Sequence, residues 1–150
     1  MAFGLVLFHT KVEAQNHQPD NQKLVDQYLN LAGSLVKSDF KKSKSQAVKL
    51  NELLAATSSA DLQTNGAMVA LSNSLPEMRS AFSRLSTSLK VYLSTAPTLE
   101  EPIYVVHCPM ALNDTGAIWL TDEKKVINPY FGMEMLHCGK ILGTVNSAKP

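Results

Sequence analysis

Apolar side chains recur at three- and four-residue steps through the first two thirds of the chain, the spacing that gathers them on one face of an α-helix. Leu24, Tyr28, Leu31 and Leu35, flanked by Val25, Leu29, Ala32 and Val36, make one broad stripe, and Asp20 after Pro19 supplies its N-cap. A second helix is predicted to open at Ser43, where Ser43 and Gln46 have capping-box spacing. It turns Ala47, Leu50, Leu53 and Leu54 inward and ends in the stretch from Ser58 to Asp61. A shorter helix is expected over Leu62 to Asn73, weakened by Asn65 and Gly66. The clearest pattern comes last. Ser74 and Glu77 form a capping box, Pro76 is tolerated in the first turn, and Met78, Ala81, Phe82, Leu85, Leu89, Tyr92 and Leu93 share a face. Met68 and Met78 both fall at core-like positions, while Lys41, Lys42 and Lys44 read as a solvated helix junction. Short connections between amphipathic helices favour antiparallel neighbours, so the expected architecture is an up-down bundle of three to four helices over about residues 20–95.

The helical period stops after Thr95, where Pro97, Pro102, Pro109, Pro129 and four glycines from Gly116 to Gly143 break any long helix. Ile103 to Val106 and Gly116 to Leu120 are short, apolar and strand-like, and can pair as a hairpin through the Ala111–Thr115 turn, which also contains the sequon Asn113-Asp114-Thr115. Asn128 to Gly139 reads as a turn leading into one or two turns of helix that Gly139 ends. Trp119, Tyr130 and Phe131 are expected to dock this C-terminal piece, about residues 103–142, onto the bundle, with Gly132 and Asn128-Pro129 setting the turn that aims Met135 and Cys138 inward. The predicted fold is mainly α: the bundle plus a small C-terminal β-hairpin and short-helix segment.

Composition narrows the function. Fourteen Lys+Arg against 13 Asp+Glu, with 18% charged residues, leave no basic surface suited to nucleic acid. With 150 residues and 45% apolar side chains, one domain can hold a core without staples. The run Ala2 to Phe8, with Val12 and Ala14 at the −3 and −1 places of a cleavage site, resembles the end of a secretory signal peptide over residues 1–14. Residues 15–150 are then the mature, periplasmic or secreted domain. No stretch reaches the roughly 18 apolar residues of a membrane span.

Candidate chemistry lies in the C-terminal third. Cys108 and Met110 are two residues apart and share one side of an extended strand; Met135 and Cys138 are three apart and share a face of a helical turn. Together they offer two thiolates and two thioethers, a soft set that suits copper(I) or silver(I) better than zinc. His107 and His137, each preceding a cysteine, are further candidate ligands that would shift preference towards zinc. The same two cysteines can instead form a disulfide, the usual state of a cysteine pair in an oxidising compartment. No esterase elbow, P-loop, dinucleotide fingerprint or zinc-protease motif is present, and a Cys108–His137 pair oriented by Asp114 lacks any oxyanion hole. The expectation is a protein that is not an enzyme.

The segments HCPMALNDTGAIWL and NPYFGMEMLHCGKIL resemble a family of small exported bacterial proteins of unknown function. Its signature is Cys-Pro-Met, then Gly-Ala-x-Trp-Leu, then Asn-Pro-Tyr-Phe-Gly-x-x-Met-Leu-x-Cys-Gly. Related domains are fused to the periplasmic adaptor subunits of copper and silver efflux systems. The resemblance implies heavy-metal binding through Cys108, Met110, Met135 and Cys138, and an efflux adaptor as partner. His107 and His137 stand outside that signature. Two functions follow as expectations: a periplasmic protein that sequesters or transfers copper(I) or silver(I), or an interaction module of an efflux system closed by a Cys108–Cys138 disulfide.

Overall fold

The computed structural model describes residues 20–96, 99 and 101–145. The signal-peptide segment 1–14 lies outside them. Four helices, α1 (Asn21–Val36), α2 (Phe40–Leu54), α3 (Ala60–Leu71) and α4 (Leu75–Thr95), pack up and down in sequence order. Three strands, β1 (Ile103–Cys108), β2 (Ala117–Thr121) and β3 (Lys140–Val145), form an antiparallel sheet in the order β2-β1-β3, packed against α4. None of the described helices is long and apolar enough to cross a membrane.

The helices start where side chains can take up free N–H groups. Asp20 caps α1, Ser59 caps α3 and Ser74 caps α4. At α4 the capping box is shifted by one: Ser74 Oγ accepts from Glu77 N–H at 3.3 Å, and Glu77 reaches back to the N–H of Asn73 at 2.8 Å. Helix α2 opens four residues earlier than the Ser43 capping box predicts, with Asp39 in place of Ser43 as N-cap. Asp39 accepts from Lys42 N–H at 2.9 Å, and α1 has already been closed by left-handed Ser38 (φ 52°), with Asp39 N–H bonded back to Ser34 O at 3.2 Å. Ser43 is left inside α2, buried, with its hydroxyl unpartnered. Helix α3 spans Ala60–Leu71 rather than Leu62–Asn73, and Gly66 is where α3 comes close to α2: an added Cβ would collide with Leu54 Cδ1.

The aliphatic stripes meet as expected. Leu24, Tyr28, Leu31, Leu35, Leu50, Leu54, Leu62, Met78, Phe82, Leu85, Leu89 and Leu93 are all essentially inaccessible. Met68 is not a core residue: it is 42% exposed, on the outer side of α3.

The hairpin is present, with Val105 opposite Leu120 and Cys108 opposite Ala117. Its connection includes a left-handed turn in which Leu112, Asn113 and Asp114 have φ of 54°, 57° and 62°. Two features differ from the expectation. A third strand, β3, lies on the other side of β1, with Ile103 opposite Val145, His107 opposite Lys140 and a bulge between Val105 and Val106. Residues 129–137 form consecutive turns, not a helix. Local side-chain bonding wins over helical bonding there. Buried Asn128 accepts from Tyr130 N–H (2.8 Å), donates through Nδ2 to Cys138 O (2.8 Å), and its own N–H bonds Leu136 O (2.7 Å).

Candidate functional site

Four aromatic rings join sheet and bundle. Phe82 stacks on Tyr28 at 5.0 Å and meets Tyr130 at 6.0 Å; Tyr130 in turn meets Trp119 edge-on at 6.0 Å. A polar relay runs beside them. Leu120 N–H donates to Tyr28 Oη (3.1 Å), whose hydroxyl pairs with Ser86 Oγ (2.7 Å), and Ser86 donates to Phe82 O (2.8 Å). Tyr130 donates to Ile118 O. Burial raises the pKa of both phenols above the ordinary tyrosine value. Arg79 fixes the far side of the seam, donating through Nε to Pro129 O (2.9 Å) and through Nη2 to Leu35 O and Ser38 Oγ (both 3.0 Å). Its half-burial lowers its pKa, partly offset by the charge of Glu134. Trp119, Tyr130 and the turn at Asn128-Pro129 thus play the docking roles predicted for them. Tyr28, an ordinary stripe position in the sequence, and Arg79, an ordinary helix-surface charge there, carry no local signal of these roles.

Strand register brings the two cysteines together. His107 pairs with Lys140, so Cys108, the last residue of β1, comes beside the residue pair that precedes β3. Cys108 and Cys138 form a disulfide, with Cα atoms 5.7 Å apart and 30 residues between them in sequence. Gly139 (φ 139°) makes the approach possible: a Cβ there would lie 2.8 Å from Trp119 Cη2 and 3.1 Å from His107 O. The two sulfurs differ in setting. Cys108 is fully buried, whereas Cys138 is half-buried and lines an open cleft with His107, Pro109, Gly139 and Lys140.

The remaining candidate ligands are placed less tightly. Met110 is 46% exposed at the start of the left-handed turn. Met135 is half-buried, and its carbonyl accepts from Cys138 N–H at 3.1 Å. His107 is half-buried on β1 and shares the cleft with Cys138, while exposed His137 places Nδ1 2.9 Å from Val126 O. Among the described residues no three His, Cys, Asp or Glu side chains converge on a point suited to a metal ion. A disulfide carries no thiolate, so in this oxidised form the sulfur set does not fit a soft cation: two neutral thioethers are what is left.

A model of the family described as "Protein of unknown function (DUF3347)" matches residues 24–101. The matched stretch is the bundle, ending two residues before β1, so the cysteine segment that carries the signature lies beyond it. No curated protein and no solved structure matches the chain.

Proposed function

The chain belongs to the DUF3347 family, whose function is unknown, and we propose that it acts as a non-catalytic interaction module of an oxidising, extracytoplasmic compartment, closed by its disulfide. The observation that carries this reading is the Cys108–Cys138 bridge. Bridges of this kind persist where no cytosolic reductant reaches them, and the signal-like start of the sequence agrees with that location. A periplasmic adaptor of a heavy-metal efflux system is the partner suggested by the resemblance of the Cys-Pro-Met and Asn-Pro-Tyr-Phe-Gly segments.

The test is the redox state of protein purified from the periplasm without added thiols. The expected mass is two units below that of the reduced chain, with no free thiol and no uptake of copper(I). Two free thiols that vanish when copper(I) is added would overturn the reading.

One observation favours a second reading, in which the reduced protein binds copper(I) or silver(I). Half-buried Cys138 and His107 share an open cleft, and reduction would return two thiolates, with Met110 two residues from Cys108 and Met135 three residues from Cys138 in sequence. On that reading, reduced wild type competes with a chelating copper(I) dye. Cys108→Ser or Cys138→Ser abolishes the competition, Met110→Leu or Met135→Leu weakens it, and His107→Ala or His137→Ala changes it little. Failure of the reduced wild type to compete removes the metal role.

A further inference from the structure

We propose that Cys138 is a thiol-exchange site, at which the bridge is opened and closed by an anionic low-molecular-weight thiol or by a cysteine of a redox partner. The inference deepens the reading of a disulfide-closed module and rests on it. Three features of the structure converge.

The first is asymmetry. Cys108 is wholly inaccessible, within the hydrophobic core, while Cys138 lines the open cleft with Pro109, Lys140 and His107. Thiolate exchange needs the attacking sulfur in line with the bond it breaks, so access decides which sulfur is attacked. Only Cys138 offers that access.

The second is charge. Exposed Lys140 forms one wall of the same cleft. A cationic wall raises the local concentration of an anionic thiolate and favours its approach.

The third is retention after opening. Cys138 is held by contacts that do not involve sulfur. Asn128 Nδ2 binds its carbonyl at 2.8 Å, its N–H bonds Met135 O at 3.1 Å, and Gly139 beside it packs against Trp119. The pairing of His107 with Lys140 fixes the next step of the chain. The opened thiols therefore stay within closing distance, and the bridge can reform.

The chemistry balances without a further reagent. A thiolate RS⁻ attacks Cys138 Sγ; the Cys138–Cys108 bond breaks, an R–S–S–Cys138 bond forms, and the electron pair leaves on Cys108 Sγ, which takes a proton from solvent. A second thiolate attacking R–S releases RSSR and leaves Cys138 as a thiol. Two RSH are oxidised and one protein disulfide is reduced.

Single-cysteine variants of the full chain provide the test, with glutathione disulfide as probe and mass spectrometry as readout. Cys138 in Cys108→Ser should acquire glutathione at least about tenfold faster than Cys108 in Cys138→Ser, and the difference should vanish in denaturant. In bridged wild type, brief exposure to reduced glutathione and acid quenching should trap the adduct on Cys138. The emission of Trp119, the chain's single tryptophan, should change while the helical circular dichroism does not. Lys140→Glu should slow attack by glutathione several-fold and attack by neutral 2-mercaptoethanol far less. Equal rates in the folded variants, an adduct on Cys108, or no adduct from folded wild type overturns the exchange site. Free thiols in the native protein would instead overturn the bridged module itself, so the two failures are distinguishable.

Discussion

Helices α1 to α4 are held by aliphatic side chains at helical spacing, whereas β1 to β3 and the turns before β3 depend on a cross-link, one buried asparagine and contacts with the bundle. The family match follows the same division, covering the bundle and stopping at residue 101. Beyond that point the sheet has three short strands, and β3 is exposed over its first five residues, so it buries little surface of its own. A segment of that size is marginal without a staple or a surface to lean on. Here it has both. The bundle supplies a platform, and the segment carries both cysteines.

The comparison can be broken most forcefully at the seam. Phe82 belongs to α4 but touches Tyr28 of the bundle and Tyr130 of the segment, and it is fully buried. Phe82→Ala should cost about 3–5 kcal/mol, as other large-to-small core changes do. Both halves should melt together at lower temperature, followed by far-ultraviolet circular dichroism for the helices and by Trp119 emission for the sheet. If the helical signal kept its wild-type midpoint, the ring would belong to the segment alone.

The bridge tests the opposite limit. Replacing both cysteines by serine releases a loop closed across 30 residues, a loss of about 3–4 kcal/mol in the chain-entropy picture. Because the bridge joins the end of β1 to the residues before β3 and touches none of the four helices covalently, the Trp119 transition should fall well below the helical one. Coincident transitions would show that the two regions form one cooperative unit.

The same division explains what could be read from the sequence. Long amphipathic helices announce themselves, since every turn repeats the pattern, and the Asp20, Ser74 and Pro76 signals mark their starts. Strand β3 did not, because KILGTV carries neither alternation nor buried positions before Val145. The sequence of 128–139 predicts a turn leading into one or two turns of helix ended by Gly139, whereas 129–137 are turns throughout. The deciding interaction, Asn128 reaching Cys138 O across ten residues, has no local signature. Whether the cysteines bridge depends on β1–β3 register, which is a tertiary fact; spacing alone favours the disulfide, and only the resemblance of the Cys-Pro-Met and Asn-Pro-Tyr-Phe-Gly segments tilts the reading towards metal. Gly66 was read as a weakness of α3, yet it is the contact that lets α3 pack on Leu54.

Alkaline pH sharpens the comparison from the seam's polar side. Tyr28 and Tyr130 keep their protons in the folded protein to higher pH than in the unfolded chain, because burial disfavours the phenolate. The sign follows from proton counting. Below the ordinary tyrosine value of about 10 both states are protonated and stability is flat; above it the unfolded chain loses protons first, so stability falls as pH rises. Each phenol should cost about 1.4 kcal/mol per pH unit in that range. Melting temperature should hold steady from about pH 8 to about pH 10 and then drop. Tyr130→Phe should lessen the slope by one proton's worth, relative to its own value near neutrality.

The smallest effect concerns where α2 begins, and it sets two sequence readings against each other inside the bundle. If Ser43 capped the helix, Ser43→Ala would cost about 1 kcal/mol and Asp39→Ala would be nearly silent. The structure reverses this. Asp39 accepts from Lys42 N–H, while Ser43 lies one turn inside α2 with a buried hydroxyl that has no partner. Removing Asp39's carboxylate should therefore cost about 1 kcal/mol. Removing the Ser43 hydroxyl deletes an unpaired polar atom and replaces serine with a better helix former, so it should be neutral or stabilise by up to about 0.5 kcal/mol. Urea unfolding of the two variants, read at equal m-value, resolves a difference of this size. A more stable Asp39→Ala and a weakened Ser43→Ala would restore the capping box and move the start of α2 by four residues.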